Sequence, residues 1–243
     1  MLQRLPLAGG ETVLDAGCGS GRVTEQLLER LPHGRVIALD AAPSMLAEAR
    51  RRLARFSDRV DFVECDLGQP LPVEVPVDAV LSTATFHWVP DHHALFRNLA
   101  AVLRPGGVLV AQCGGKGNIE SVRRIATDLT GWEGPWTFAT PEETAARLRK
   151  AGFVDIEVWL HDEPTPIEPG EPMETFLATV MLRAHLDRMA EDERPGFVRR
   201  VAERLPSPVI DYVRLNITGR RPTDLSVGGS RPYTAPDRPH SLG

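Results

Sequence analysis

Long apolar runs are missing from this 243-residue chain. No stretch approaches the roughly 20 residues that cross a bilayer, and the N-terminus, MLQRLPLAGG, lacks the apolar core of a secretion signal. Cysteine is scarce as well: Cys18, Cys65 and Cys113 are odd in number and form no C-x-x-C pair. That excludes a disulfide frame and a clustered metal site, and leads us to expect reduced thiols in a cytoplasmic protein. An excess of positive charge is also absent, with 28 Lys and Arg against 33 Asp and Glu, a net charge of -5. Neutralising nucleic-acid phosphates takes a basic stripe. The one basic run, Ala49-Arg50-Arg51-Arg52, sits among helix formers and reads as a solvated helix face. Nucleic acid and membrane are therefore not expected as partners.

What is present is an alternation of short apolar runs and helical ones. ETVLDAG, GRVIALD, RVDFVEC, VDAVLST, LRPGGVLVAQC, FVDIEVWL and VIDYVRLNI read as strands. Val23, Leu27, Leu28 and Leu31 recur at helical spacing; Pro43 to Phe56 reads as a second helix, and Leu95, Leu99, Val102 and Leu103 mark another with Asp91 as its N-cap. Crossovers this short predict an α/β fold, a mostly parallel sheet covered by helices on both faces. A further helix runs from about Pro141 to Lys150. The second half then changes character. HDEPTPIEPGEP suits neither helix nor strand. Two apolar stripes follow, Phe176, Leu177, Val180, Met181 and Ala184, then Phe197, Val198, Val201 and Leu205. These predict a helical cap inserted over about 162–206, before the last strand. We expect one domain over 1–221, and a disordered, Gly-, Ser- and Pro-rich tail over 222–243.

The glycine loop carries the chemistry. Directly after the first strand, Asp15, Gly17, Gly19 and Gly21 read D-x-G-x-G-x-G, and Arg22 breaks the G-x-G-x-x-G spacing of dinucleotide folds. Such a loop also occurs as a plain tight turn, so its neighbours decide. Asp40 closes the second strand, where a carboxylate accepts from ribose hydroxyls; Asp66 follows the third, where one accepts from an exocyclic amine such as that of adenine. Met45 and Leu67 offer apolar faces to a purine ring. All lie where open α/β sheets bind ligands. Asp15 adds negative charge under the loop, suited to an ammonium and a sulfonium rather than to a pyrophosphate.

From about Glu11 to Cys113 this arrangement resembles the class I S-adenosylmethionine-dependent methyltransferases. The resemblance implies a Rossmann-like seven-stranded sheet and S-adenosyl-L-methionine as cofactor. It implies that Asp15 serves the methionine amino group, Asp40 the ribose and Asp66 the adenine, with Gly17, Gly19, Gly21, Met45, Leu67 and Ser82 completing the cofactor site. After the fourth strand, STATFHWV lacks the proline-proline-aromatic motif of many base methylases. TATFHWV, GGKGNI and YVRLNI together are similar to the trans-aconitate methyltransferases, to about Arg221. That likeness implies methyl-ester formation on a carboxylate of a small polycarboxylic acid. A carboxylate, with a pKa of about 4, is already a nucleophile at neutral pH and needs no base. Alignment and cations matter instead.

Candidates for the acceptor side are His87 and Trp88 as catalytic groups, with Trp88, Lys116 and Arg214 holding the substrate. His92 and His93 are expected to face solvent in a helix's first turn, and His185 to line either the pocket or the core. Members of the resembled family usually carry helices before the first strand that close over the cofactor. Here ten residues precede it, leaving a shortened chain or closure by the cap. Two other readings stay open. One is a methyltransferase on another small acceptor, a carrier-bound malonyl ester or a natural-product hydroxyl, the latter needing His87 as base. The other is a non-catalytic S-adenosylmethionine-binding protein.

Overall fold

The computed structural model describes residues 1–223. The expected tail lies, from residue 224 onward, outside the described residues. Five parallel strands, β1 (Thr12–Ala16), β2 (Arg35–Asp40), β3 (Val60–Glu64), β4 (Val77–Thr83) and β5 (Leu103–Gly114), join β6 (Val154–Asp162) and β9 (Val213–Arg220) in the order β3-β2-β1-β4-β5-β9-β6. β9 runs antiparallel to both neighbours. This is the seven-stranded, mostly parallel sheet expected. The stretch read as one last strand is split: Val209–Ile210 (β8) pairs outside the main sheet with Thr165–Pro166 (β7).

Helices α1 (Arg22–Arg30), α2 (Pro43–Arg52), α3 (His92–Val102) and α5 (Pro141–Lys150) begin near the positions read from sequence, for identifiable reasons. Asp91 accepts from the N–H groups of His93 and Ala94, a cap contributing about 1 kcal/mol. Thr140 and Glu143 form a reciprocal capping box at the start of α5. The apolar faces of α1 and α2 bury Leu27, Leu28, Leu46 and Ala49 against Val13, Val36 and Ala38 of the sheet. The other sheet face, with Leu14, Val80, Leu109 and Ile217, is covered by α3 and α5 through Leu95, Phe96, Leu99 and Leu148.

The cap is larger than the inserted segment. Its core joins α6 (Glu171–Phe176), a π-helical turn (Leu177–Met181), α7 (Arg183–Leu186) and α8 (Arg194–Arg204) to α4 (Glu120–Thr130), which precedes the insertion. α4 was not expected, although Val122, Ile125, Ala126 and Leu129 recur at helical spacing. Its tether is specific: Asp211 accepts from Ser121 N–H at 2.8 Å, and Asn118 Oδ1 from Val213 N–H at 2.9 Å. The cap thus rests on the carboxyl end of β5 and the start of β9.

Candidate active site

The carboxyl ends of β1 to β4 enclose a cleft of about 620 Å³. Gly17, Gly19, Asp40, Met45, Asp66, Leu67 and Trp88 all line it. Gly17 has a left-handed φ of +83°, and a Cβ there would overlap Thr85. Only glycine lets the first loop approach the segment after β4 this closely. Gly19, at φ +54°, has no protein atom within 4 Å of where a Cβ would stand, so its surface is left to a ligand.

Asp40 sets the loop and still faces the cleft. Its two oxygens accept from Gly19 N–H at 2.8 Å and from Ala42 N–H at 2.9 Å, leaving a lone pair on each. Asp66 accepts from Gly68 N–H at 2.7 Å through one oxygen, and the other accepts from no donor among the described residues. The N–H groups of Gly17 and Cys18 donate to Leu39 O at 2.8 and 2.9 Å. These two amides, like that of Gly19, are therefore taken up within the protein. The carboxylates of this wall suit a ligand offering hydroxyls, an amine and a cation.

Asp15, Gly21 and Ser82 are not among the residues that line the cleft. Gly21 faces Ala49 and Leu53, seating α1 against α2. Ser82 is buried and donates to Ala16 O at 2.6 Å, tying β4 to β1. Asp15 is sealed beneath the loop, where Thr24 Oγ1 donates to it at 2.6 Å and its other oxygen has no partner among the described residues. Burial raises its pKa to about 6, against the opposing Thr24 bond and with help from Asp40. A buried carboxylate short of one partner, one layer below the cleft, favours a cationic ligand above it. Arg22, whose place in the sequence breaks the dinucleotide glycine spacing, also lines the cleft and brings a cation to it.

Beyond β4 the chain turns through Ala84, whose φ of +56° is unfavourable for a residue with a Cβ, by about 1–2 kcal/mol. That turn carries Thr85 and the short helix Phe86–Trp88 over the cleft. Phe86 is buried edge-on to Phe96 and anchors it, while Trp88 remains 44% exposed. His87 Nδ1 accepts from Gly114 N–H at 3.2 Å, so the neutral ring carries its proton on Nε2. Burial first, then the charges of Arg214 and His92, lower its pKa to about 4. The ring stacks on Phe138, and Trp88 stands 6.0 Å from Trp136. Both partners belong to the segment between α4 and α5 and were not foreseen.

Arg214 lies opposite Gly114 in the β5–β9 register. Its Nε donates to Glu163 at 2.5 Å, and its guanidinium sits 3.9 Å above the Tyr212 ring. Lys116 is exposed on the turn after β5, outside the cleft lining. His93 faces solvent as expected. His92 does not: it is buried, with Nε2 3.0 Å from Phe86 O, because the first turn of α3 packs under the Phe86–Trp88 helix. His185 is buried in the cap core, 3.3 Å from Trp132 O. It borders a separate cavity of about 590 Å³ that shares no residue with the cofactor cleft.

Comparison with known proteins follows the same lines. A family described as "Methyltransferase domain" matches residues 13–107. The trans-aconitate 2-methyltransferase of Azoarcus sp. is 31% identical over 208 residues, 82% of this chain and 79% of that one. That of Escherichia coli is 29% identical, covering 91% and 90%. That of Methylobacterium nodulans is 37% identical over 66% of this chain, which spans 59% of its length. Among solved structures, Haemonchus contortus phosphoethanolamine N-methyltransferase 2 superposes with a TM-score of 0.63 at 21% identity, covering 91% of this chain and 51% of that one. The [4+2]-cyclase SpnF gives 0.62 at 21%, covering 91% and 79%. These two share the fold and differ in named activity. Among the described residues no helix is long and apolar enough to cross a membrane. Sheet order, cleft chemistry and relatives agree: the chain belongs to the family of the trans-aconitate 2-methyltransferases, within the class I S-adenosyl-L-methionine-dependent methyltransferases.

Proposed function

We propose that the protein methylates a carboxylate of a small polycarboxylic acid, with trans-aconitate the first acceptor to test. The observation that carries this reading is the state of His87. Its Nδ1 lone pair is engaged by Gly114 N–H and its pKa is lowered to about 4, so at neutral pH the ring is neutral with its proton on Nε2 and is a poor base. A hydroxyl acceptor would need a base there; a carboxylate needs none. The same side presents donors and cations, the indole N–H of Trp88 and the side chains of Arg214 and Lys116, suited to an acid's remaining carboxylates.

On the cofactor side, Asp40 is assigned to the ribose hydroxyls, Asp66 to the adenine amine, and Met45 and Leu67 to the faces of the ring. Arg22 is assigned to the methionine carboxylate, and buried Asp15 to the field beneath the ammonium. When bound, S-adenosylmethionine supplies a methyl group on a sulfonium, the electrophile of the transfer. The chain's part is to hold the attacking oxygen in line and to keep water out, an alignment worth about 7–11 kcal/mol in favourable cases. Its three free cysteines suit a reducing, cytoplasmic setting, and Cys18, whose pKa is pushed far up by burial and by Asp15 and Asp40, meets the cofactor as a thiol.

The test is transfer from methyl-labelled S-adenosylmethionine to trans-aconitate, read as methanol released by base. Base-labile label establishes the ester. Label that survives base points to an ether or amine product and sinks the carboxylate reading.

A further inference from the structure

Arg214 is held more firmly than a surface arginine needs to be. In the plane of its guanidinium, Nε donates to Glu163 Oε2 at 2.5 Å; beneath that plane lies the Tyr212 ring, 3.9 Å from the guanidinium carbon. Glu163 is itself tied down, its N–H donating to Tyr212 O at 2.8 Å. An ion pair whose carboxylate is half exposed adds little to stability, so stability does not account for this arrangement. What the two contacts remove is rotational freedom. The terminal nitrogens Nη1 and Nη2 donate to no carbonyl or carboxylate among the described residues. The flat end of the fork, the part that matches a carboxylate in two parallel hydrogen bonds, is engaged by no carboxylate among the described residues, its near neighbour being Tyr212.

The location is relevant. Arg214 pairs in register with Gly114, the residue whose N–H holds His87, and its charge is felt at His87. Glu163 directly follows β6, where the chain departs for the cap, and Tyr212 directly precedes β9, where it returns. The clamp therefore assembles where the two stems of the cap meet the acceptor side of the sheet.

We propose that Tyr212 and Glu163 are positioning residues, which together fix the Arg214 guanidinium so that Nη1 and Nη2 receive a non-reacting carboxylate of the acceptor. This rests on the carboxylate-acceptor reading above. Pre-ordering a flexible cation lowers the entropy lost on binding, so it acts on acceptor affinity and leaves the transfer step alone.

Four variants form a ladder. Glu163→Gln keeps an oxygen for Nε and should hold acceptor at least as well as the natural protein. Glu163→Ala loses it, and KM for trans-aconitate should rise roughly 10-fold with kcat within about 2-fold. Tyr212→Phe keeps the ring under Arg214 and should stay within about 2-fold, whereas Tyr212→Leu should raise KM roughly 10-fold. Glu163 is exposed, so its two variants test the proposal even if Tyr212→Leu does not fold. The same ladder is to be read in the dissociation constant of trans-aconitate by calorimetry with S-adenosylhomocysteine present, which requires no turnover. A flat ladder, with or without a lowered melting temperature, overturns the clamp. So does tighter binding by Glu163→Ala, which would make Glu163 a competitor for Arg214. Natural protein that shows the ladder in binding but transfers no methyl keeps the clamp and overturns the function. Turnover with a flat ladder does the reverse, and neither binding nor turnover overturns both.

Discussion

Along β1 to β4, the groups facing the cofactor cleft sit at or just beyond a strand's carboxyl end; around β5 to β9, the groups gathered about His87 come from segments far apart in the chain. Asp40 ends β2 and holds the loop 21 residues before it, whereas Arg214 meets Glu163 across 51 residues. The first kind of site is written in local patterns, because a strand, a turn and a helix N-terminus fix where the side chain goes. The second depends on how the cap folds back. One lesson is that the same fold separates a standardised job, holding the cofactor, from a variable one, choosing the acceptor.

The largest expected effect sharpens the cofactor half. Asp40→Ala removes two lone pairs assigned to the ribose and leaves the Gly19 and Ala42 N–H groups without a partner. Hydrogen bonds to a charged group contribute about 1.5–3 kcal/mol each, so calorimetry should show S-adenosylmethionine binding weakened about 100-fold or more. If Asp40→Ala binds normally, the division of labour between the halves is wrong at its firmest point.

Next comes the acceptor half. Arg214→Met should raise KM for trans-aconitate by about 10- to 100-fold while cofactor affinity stays within about 2-fold, since Arg214 does not line the cofactor cleft. Arg214→Lys should recover little, because a point charge does not replace a stacked, planar fork. A change in cofactor binding of the same size would dissolve the comparison.

His87 gives a smaller and differently shaped effect. Its folded pKa of about 4 lies below the usual 6.5, so the ring stays neutral from pH 6 to 9. Activity should then be flat over that range and fall only as pH approaches 4–5; His87→Ala should lower kcat by about 10-fold without altering the flat region. A rise in activity centred near pH 6.5 that disappears in His87→Ala would make it a base and revive a hydroxyl acceptor.

How much of this was legible in the sequence follows the same boundary. The mostly parallel sheet, α1, α2, α3 and α5 could be read because apolar periodicity and caps such as Asp91 are local signals; the strand order was not among these readings. The same kind of local signal points to Gly17, Gly19, Asp40, Met45, Asp66 and Leu67, all of which line the cleft. Gly21 and Ser82 carry the same motif signal but turn to the next helix and strand, a distinction that a motif alone does not make. Trp136, Phe138, Glu163 and Tyr212 gave no local signal at all, since each matters only through a partner brought to it by the cap. α4 is the exception: Val122, Ile125, Ala126 and Leu129 have helical spacing, but they follow a glycine-rich lead-in, GGKGNI, and no side chain caps the helix.

A last effect, on stability rather than on binding or turnover, bears on Asp15, which lies one layer below the cleft. Folding raises its pKa from 3.8 to about 6, so the unfolded chain gives up this proton first as pH rises. Between those values the stability of the cofactor-free protein should therefore fall with pH, by about 3 kcal/mol in all, and remain lowered above pH 6. Other carboxylates titrate in the same range, so the informative quantity is the difference from Asp15→Asn in denaturant midpoints between pH 4 and 8. That difference should grow in favour of the variant as pH rises. An ammonium above the loop offsets the buried charge, so S-adenosylmethionine should shrink the difference and should itself bind more tightly at pH 7 than at pH 5. If the pH dependence of the two proteins runs parallel, Asp15 is held by Thr24 alone, and the cation preference of the cleft must come from Asp40 and Asp66.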